Sequence, residues 1–478
     1  MSNRREDLAF ASIHEIAPKI KDGSVSPVEL TQIALERVAK LDSKLNSFLD
    51  VWQDEALASA AKVEHEIANG DYKGPMHGIP IGLKDLVDVE GKATTAGSKV
   101  LQSNIAKSNA TVTKRLNHAG AITIGKTNLV EFALGSAGVN PYTGDARNPW
   151  DTDKITGGSS SGSGAAVAGG LVYGALGSDT GGSIRMPASL CGIAGLKPTY
   201  GRVPRTGVLD LSWSKDHVGP MTRRTADCAH MLNVIAGHDP RDIASSTRRV
   251  PNFAADLDKG LDGLRIGVPE HYFFNPDIVD PEVLASVNTA IELLANNGAE
   301  IVPIPMEWVS QGRAINVIIS VAEGLAVHEK LLPEHADDYT PAVRTRMLTA
   351  LSIPAVDYIR AQRARQAFSV QMAEATKDID VLATPSIPVP AHTIKECTVP
   401  PGEALAEKSH EIPLFTSIFD VTGEPSLSVL CGFDSTNMPI GLMISGHAFD
   451  ESTVLRVGHA YEELTGWHTR RPPIDSTR

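Results

Sequence analysis

The chain has 478 residues, of which 42% are hydrophobic and 21% charged, and its formal net charge is −13. This length can bury a large core, and the negative charge argues against nucleic acid or an anionic membrane as the main partner. The sequence shows no run of 18 apolar residues, no signal-peptide pattern at its start, and four cysteines without a pairing pattern. We therefore expect a cytoplasmic protein with reduced thiols.

Short apolar strands alternate with helices along the chain, which predicts an α/β protein. Strands lie on both sides of a long helical insert, so we expect one sheet and a single domain over residues 1–478. Within it we distinguish four parts: N-terminal helices at residues 1–72, a core at 73–237, strands with the helical insert at 238–375, and a C-terminal part of the core at 376–478.

Residues 120–127, GAITIGKT, match the phosphate-binding pattern G-x-x-x-x-G-K-[ST]. A phosphate loop needs the order strand, loop, helix and a flexible interior. Here the interior Ala-Ile-Thr-Ile favours a strand, and residues 112–119 are typical of a helix that ends at Gly120. The order helix, turn, strand predicts that no nucleotide binds here.

Two serine-glycine runs lie in the core, GGSSSGSG at residues 157–164 and LGSDTGGSIR at residues 176–185. In each run a serine follows two glycines, at Ser159 and at Ser183, 24 residues apart. Glycines leave backbone N–H groups bare, so a serine in such a loop has an oxyanion site beside it. No histidine lies near either run, and the base must come from elsewhere.

Lys84 ends the apolar stretch 78–83 and is followed by Asp85. A lysine at the end of an apolar run is typically a surface residue whose stem covers apolar neighbours. The two serine loops favour a different interpretation, in which Lys84 supplies the missing base.

With these residues the chain resembles the amidase signature family, serine hydrolases that use a Ser–Ser–Lys triad. The resemblance also includes RMPA at residues 185–188, CGIAGLKPTYGR at 191–202 and GPMT at 219–222, with weaker matches at 415–432 and 439–446. It implies one large mixed β-sheet with helices on both faces.

The resemblance assigns Ser183 as nucleophile, Lys84 as general base, and Ser159 as the serine that relays the proton between them. It also implies a cis peptide bond between Gly158 and Ser159. The backbone N–H groups of Thr180, Gly181, Gly182 and Ser183 are expected to form the oxyanion hole. Ser160 is expected to lie beside the relay, and Asp179 and Arg185 are expected to form an ion pair that fixes the loop. No metal and no cofactor are expected.

The resemblance implies hydrolysis of a carboxylic amide through an acyl-enzyme on Ser183. The loop at residues 132–136 is small and apolar at its centre, which favours aryl or aliphatic amides over charged ones. Anilides, carbamates and esters are further candidate substrates, because the same acyl-enzyme chemistry cleaves them. We expect a small-molecule amide as the partner and a monomer or homodimer, without nucleic acid or membrane.

The alternative function is that of the A subunit of a glutamyl-tRNA amidotransferase, which hydrolyses glutamine to supply ammonia. Family members commonly have Asn near Asp420 and Gln near Met443. The A subunits have an arginine-rich run followed by Met-Leu-Gly, from which VRTRMLT at residues 343–349 departs in its spacing and in lacking the glycine. These departures favour a free-standing hydrolase over the alternative.

Overall fold

The computed structural model describes residues 3–400, 403 and 406–475. Within them the chain builds one mixed β-sheet. Its strands are β1 Phe48–Val51, β2 Pro80–Lys84, β3 Ile122–Thr127, β4 Gly174–Asp179, β5 Ala194–Lys197, β6 His217–Thr222, β7 Arg265–Pro269, β8 Glu300–Ile304, β9 Val381–Pro385, β10 Ser426–Phe433 and β11 Pro439–Gly446. They lie in the order β1-β3-β2-β4-β6-β5-β10-β11-β9-β7-β8. The predicted α/β fold with a large mixed sheet is confirmed.

The helices surround this sheet. They are α1 Asn3–Phe10, α2 Ile13–Lys21, α3 Pro27–Leu45, α4 Gln53–Ala68, α5 Thr111–His118, α6 Ser161–Ala168, α7 Arg185–Cys191, α8 Thr225–Ile235, α9 Pro281–Asn296, α10 Gln311–His328, α11 Leu331–His335, α12 Pro341–Ala350, α13 Ala355–Thr376, α14 Ile394–Cys397, α15 Ile418–Thr422 and α16 Glu451–Thr465. Helices α6 and α7 pack against central strands, and α9 and α16 pack against β10 and β11. No helix in the described ranges is long and apolar enough to span a bilayer.

The two central strands β2 and β4 are parallel neighbours and are buried along their whole length. Strands covered on both faces are apolar or small at nearly every position, as these are, and do not alternate. Because carboxyl ends of parallel strands meet at one edge, Lys84 at the end of β2 lies on the same edge as Asp179 at the end of β4. The chain segments after both strands therefore converge on one place.

Residues 120–127 have the predicted order of helix, turn and strand. Helix α5 ends at His118, Gly120 turns the chain with a φ of +77°, and β3 follows. A side chain at Gly120 would strike the ring of His77, since an added Cβ would lie 2.0 Å from it. Lys126 is buried, and its Nζ lies 2.9 Å from Asp85 Oδ1. That lysine neutralises a core carboxylate and is not available to bind phosphate.

The N-terminal region differs from the expectation in one element. The sequence predicts N-terminal helices within residues 1–72, but Phe48–Val51 forms the edge strand β1. It pairs antiparallel with β3, where Phe48 lies opposite Thr127. The short segment gains backbone hydrogen bonds and covers the sheet edge, a tertiary effect that a helical periodicity does not reveal.

Candidate active site

Lys84 lies at the carboxyl end of β2 and is completely buried. Its Nζ is 2.7 Å from Ser159 Oγ, 2.9 Å from Ser160 Oγ and 2.8 Å from Ser178 Oγ. An ammonium group has three N–H donors, so three hydroxyl groups occupy all of its directions. The lysine is thus held by neutral oxygen atoms.

Burial lowers the pKa of Lys84 to about 7, while the more distant carboxylates of Asp179 and Asp216 raise it by less. The cause is the loss of water around the charged form in the protein interior. A lysine with this pKa is neutral in a large fraction of molecules near pH 7 and then offers a lone pair to a proton. The arrangement allows Lys84 to take a proton from one of the hydroxyls that surround it.

The two serine loops contact each other through the backbone. The N–H of Ser160 donates to the carbonyl oxygen of Ser183 at 3.3 Å, and the peptide bond between Gly158 and Ser159 is cis. No hydrogen bond within the described ranges joins the hydroxyls of Ser159 and Ser183. The structure thus places the Ser159 hydroxyl on Lys84, and the proton transfer from Ser183 to Ser159 stays a prediction.

Asp179 organises the loop that carries Ser183. Its carboxylate accepts hydrogen bonds from the backbone N–H groups of Gly182 at 2.6 Å and Ile184 at 3.1 Å, and from Arg185 Nε and an Arg185 terminal nitrogen at 3.0 Å each. Burial would raise the pKa of Asp179, but the charge and hydrogen bonds of Arg185 outweigh it and hold that pKa below its usual range. A buried ion pair therefore shapes the loop.

Gly182 does not have the environment expected of an oxyanion donor. Its N–H points at Asp179, whereas the N–H groups of Thr180, Gly181 and Ser183 have no protein partner within the described ranges. Its φ is +124°, and an added Cβ would lie 2.1 Å from Thr416 Oγ1. Gly182 is a glycine because the turn and this close approach require one. We correct its expected role from oxyanion donor to loop geometry.

Two side chains from distant segments orient the same loop. Asn316, on α10, donates from Nδ2 to the carbonyl of Thr180 at 3.0 Å. Thr416 donates from Oγ1 to the carbonyl of Gly181 at 2.8 Å. Because the C=O and N–H of a trans peptide point in opposite directions, fixing the Thr180 carbonyl also fixes the N–H of Gly181. These contacts prepare donors for an oxyanion.

The two positions at which the sequence departs from the family pattern both contact Arg185. One terminal nitrogen of Arg185 lies 2.8 Å from Asp420 Oδ2, and the other lies 3.6 Å from the Met443 sulfur. Burial and the nearby charge of Asp179 raise the pKa of Asp420 well above its usual value. These residues thus lie behind the nucleophile loop and do not line the substrate pocket.

A narrow pocket of about 70 Å³ opens beside Ser183. The loop with Leu134 lines one side, as expected for a substrate wall, and α10 lines another. Arg313 and Arg346 also line it. The expectation of a mainly apolar pocket overlooked these two guanidinium groups, which favour a substrate with a carboxylate.

Sequence reasoning missed three contributors to this site: Ser178, Asn316 and the arginine pair. Ser178 had a signal, since it lies in the second serine-glycine run directly before Asp179 and adds a further hydroxyl group to that run. Asn316 had none, because nothing local shows that a helix more than 130 residues downstream reaches the nucleophile loop.

A buried lysine among serine hydroxyls, beside a loop with free backbone donors, defines a serine hydrolase that needs no histidine. A family model described as Amidase matches residues 29–455. The chain belongs to the amidase signature family.

Known proteins and solved structures can be aligned with almost the whole length of this chain. The A subunit of the glutamyl-tRNA(Gln) amidotransferase from Chloroflexus aggregans is 39% identical, with 98% of this chain and 99% of the relative covered. A solved chain from a vestigial protein complex, connected with the origins of an s-triazine catabolic enzyme, is 34% identical, with 95% and 99% covered and a TM-score of 0.89. The peptide amidase of Stenotrophomonas maltophilia is 30% identical, with 98% and 99% covered and a TM-score of 0.83.

These comparisons overturn the expected partners. The sequence predicted a monomer or homodimer that acts on a small-molecule amide without nucleic acid, and that prediction is wrong. The relatives from Chloroflexus aggregans and Chromohalobacter salexigens are both named as subunits of a glutamyl-tRNA amidotransferase. The feature that misled was the pair of departures at Asp420 and Met443, which lie behind the nucleophile loop.

We predict that the acidic limb of the pH profile belongs to Lys84. Because only the neutral amine accepts a proton, kcat/KM should fall as pH decreases through about 7. Lys84→Met keeps an apolar stem but removes the base, so activity should drop at least about 100-fold and the remainder should lose this limb. Rates measured over the acidic and alkaline sides of neutrality test this, and a retained limb in the variant would assign the base to another group.

We predict that Ser159→Ala lowers the catalytic activity, whereas Ser161→Ala does not. Ser159→Ala removes a hydroxyl bound to Lys84 and should lower kcat about 10² to 10⁴-fold. Ser161 is the matched control, because its buried Oγ has no hydrogen-bond partner within the described ranges. Ser161→Ala should leave kcat unchanged and shift the free energy of unfolding by less than about 1 kcal/mol. Similar kcat values for both variants would remove Ser159 from the mechanism.

We predict that Asn316 acts on turnover through the loop. Asn316→Ala frees the Thr180 carbonyl, loosens the adjacent donors and should lower kcat about tenfold with KM changed less than about twofold. Val317→Ala is the control, since Val317 lines the same pocket without bonding the loop. A rise in KM at constant kcat would instead make Asn316 a substrate contact.

Proposed function

We propose that this chain is the amide-hydrolysing component of a multi-subunit enzyme, and that it releases ammonia from the side-chain amide of glutamine. The observation that carries the proposal is the arginine pair beside Ser183. Arg313 and Arg346 both line the pocket and form no ion pair within the described ranges. Two unpaired guanidinium groups next to a nucleophile suit a small amide that also bears a carboxylate.

The positions of the arginines support their charged state. Burial lowers the pKa of Arg346 to about 10, which still leaves it protonated near neutral pH. One of its terminal nitrogens donates to the carbonyl of Leu134 at 2.9 Å, which fixes the side chain at the pocket wall. The remaining donors are free for a ligand carboxylate.

The reaction follows from the site. Ser183 Oγ attacks the amide carbon while its proton passes to Ser159, whose own proton passes to Lys84. The oxyanion accepts hydrogen bonds from the N–H groups of Thr180, Gly181 and Ser183. The protonated lysine returns a proton through Ser159 to the leaving nitrogen, the C–N bond breaks, and ammonia departs. Water then enters, loses a proton along the same path, and releases the carboxylic acid from Ser183.

The size of the pocket supports a small substrate. About 70 Å³ holds roughly five water molecules by the measure that one water needs about 10–15 Å³. A primary amide on a short chain fits this space better than an aryl amide or anilide. The comparison with the A subunits of amidotransferases supports glutamine among such amides.

One observation favours a second candidate, a carboxylate-bearing amide that lacks an ammonium group. The described lining of the pocket contains two arginines and neither aspartate nor glutamate. The α-ammonium of glutamine would enter this site without an acidic partner. A dicarboxylic acid monoamide would present the amide and the carboxylate alone.

A matched substrate pair tests both candidates, since glutaramate is L-glutamine without its amino group. Ammonia release is measured for each with the chain alone and with the chain purified in its native complex, and Ser183→Ala should reduce it about 10⁴-fold or more. Turnover of L-glutamine that rises in the complex supports the main proposal. A higher kcat/KM for glutaramate in both preparations supports the second candidate.

Arg346→Gln provides the control for the carboxylate. It should raise KM for either acid at least about tenfold while leaving the uncharged analogue butyramide unaffected. Equal effects on the acids and on butyramide would contradict carboxylate binding by this arginine. Ammonia release that survives Ser183→Ala would overturn the proposed chemistry itself.

A further inference from the structure

A second cavity, of about 920 Å³, lies at the opposite ends of the two helices that start at the serine loops. Helix α6 extends from Ser161 to Ala168 and begins directly after the first serine loop. Helix α7 extends from Arg185 to Cys191 and begins two residues after Ser183. Ala168 and Cys191 both line this cavity, together with the N-terminal helices and the segment after α16. It is separate from the pocket beside Ser183, because the two share no lining residue.

The charge of the cavity is opposite to that of the protein. The whole chain has a net charge of −13. The described lining of the cavity has two carboxylates, Asp7 and Glu15, but six basic side chains: Arg4, Lys19, Arg223, Arg224, Arg470 and Arg471. Three of these arginines already pair with carboxylates: Arg4 with Glu29, Arg224 with Glu15 and Glu463, and Arg471 with Glu6 and Asp7. The positive charge left to attract an anionic ligand therefore comes from Lys19, Arg223 and Arg470.

Two of the arginines are buried with unused donors. Arg223 and Arg224 are 9% and 8% exposed, and the Nε of each has no hydrogen-bond partner within the described ranges. Both Nε atoms are enclosed by the protein and do not face the cavity. Arg224 pairs with Glu15 and Glu463 through its terminal nitrogens, whereas Arg223 pairs with no carboxylate within the described ranges.

Arg223 also lacks a neutralising charge. Its terminal nitrogens donate to the backbone carbonyls of Ala11 at 2.7 Å and Val172 at 2.8 Å, and it forms no ion pair within the described ranges. These bonds explain how the side chain is held between α1 and β4, but carbonyls do not balance its charge. Burial accordingly lowers the pKa of Arg223. The guanidinium also lies over the ring of Tyr173, 5.1 Å from its centroid, and the carboxylates of Asp227 and Glu15 act on its charge from a distance. Arg223 is thus partly stabilised by its surroundings but has no ion-pair partner within the described ranges.

The rim adds cations that are free to move. Lys19 and Arg470 are exposed, and neither pairs with a carboxylate within the described ranges. Arg470 lies over the ring of Phe433 with its guanidinium carbon 4.1 Å from the ring centroid. His468 adds a buried Nδ1 without a hydrogen-bond partner in the same described ranges. Fixed guanidinium groups inside and flexible cations outside can surround a ligand with several negative groups.

We propose that this cavity binds a compact polyanion, a small molecule that carries two or more carboxylate or phosphate groups. Compactness follows from its shape, since the basic groups line a cavity and not an open stripe along the surface. The carboxylates of Asp7 and Glu15 on its walls disfavour the continuous phosphate backbone of a nucleic acid. The site is independent of amide chemistry at Ser183.

Binding of tripolyphosphate and of citrate to the full-length protein tests the proposal. Isothermal titration at constant ionic strength should show one site with a Kd below about 1 mM, which is well within the range of small-ligand affinities. Ligand at about 100 times Kd should raise Tm by about 2–3 °C. Equal rises in sodium chloride of the same ionic strength would overturn the proposal, because they would show nonspecific screening.

Charge reversal at the rim locates the site. Arg470→Glu should weaken binding at least about tenfold, and Lys19→Glu does the same if Arg470→Glu fails to fold. Arg363→Glu on α13 is the matched control, an exposed arginine without an ion pair in the described ranges, and it should bind like wild type. Unchanged affinity in both rim variants would overturn the assignment. Binding of a hexaglutamate peptide without a response to tripolyphosphate or citrate would overturn it as well and identify a protein docking surface.

Discussion

The site depends on the burial of one amine. Lys84 can act as a base only because the protein interior disfavours its ammonium form, and its pKa falls to about 7 for that reason. The cost of burying it is limited by three hydroxyl groups at 2.7–2.9 Å. Those hydroxyls come from two chain segments, so the central parallel strands and the tight serine loop must both be in place. Fold and chemistry are therefore linked through one side chain.

The buried guanidinium of Arg185 limits the effect of nearby negative charge on Lys84. The carboxylate of Asp179 ends β4 close enough to raise the pKa of Lys84, but Arg185 neutralises it and directs its oxygens to the nucleophile loop. Asp420 then shares the same guanidinium. Because Arg185 neutralises Asp179, that carboxylate can shape the loop without stabilising the protonated form of Lys84 strongly enough to keep it permanently charged.

The sequence predicts the local parts of this design better than the distant ones. Runs around Ser159 and Ser183 predict serine loops, and the apolar stretch before Lys84 predicts a buried strand, because glycine spacing and hydrophobicity are local properties. The edge strand β1 and the contact of Asn316 with Thr180 depend on tertiary packing. The arginine pair was missed because Arg313 and Arg346 meet only after α10 and α12 have packed. The expected monomer or homodimer rested on no local pattern either, and the comparisons with relatives named as amidotransferase subunits contradict it.

Helix α10 contributes to the wall of the pocket and also supports the loop that carries Ser183, which constrains how this protein could acquire new specificities. One turn of it carries Arg313 and Val317 into the pocket, and Asn316 between them holds the loop of the nucleophile. A change that moves the helix as a whole, and not only one of its wall side chains, also moves Asn316 and the loop that it supports. Substrate range and catalytic power are inherited together here, since one helix serves both.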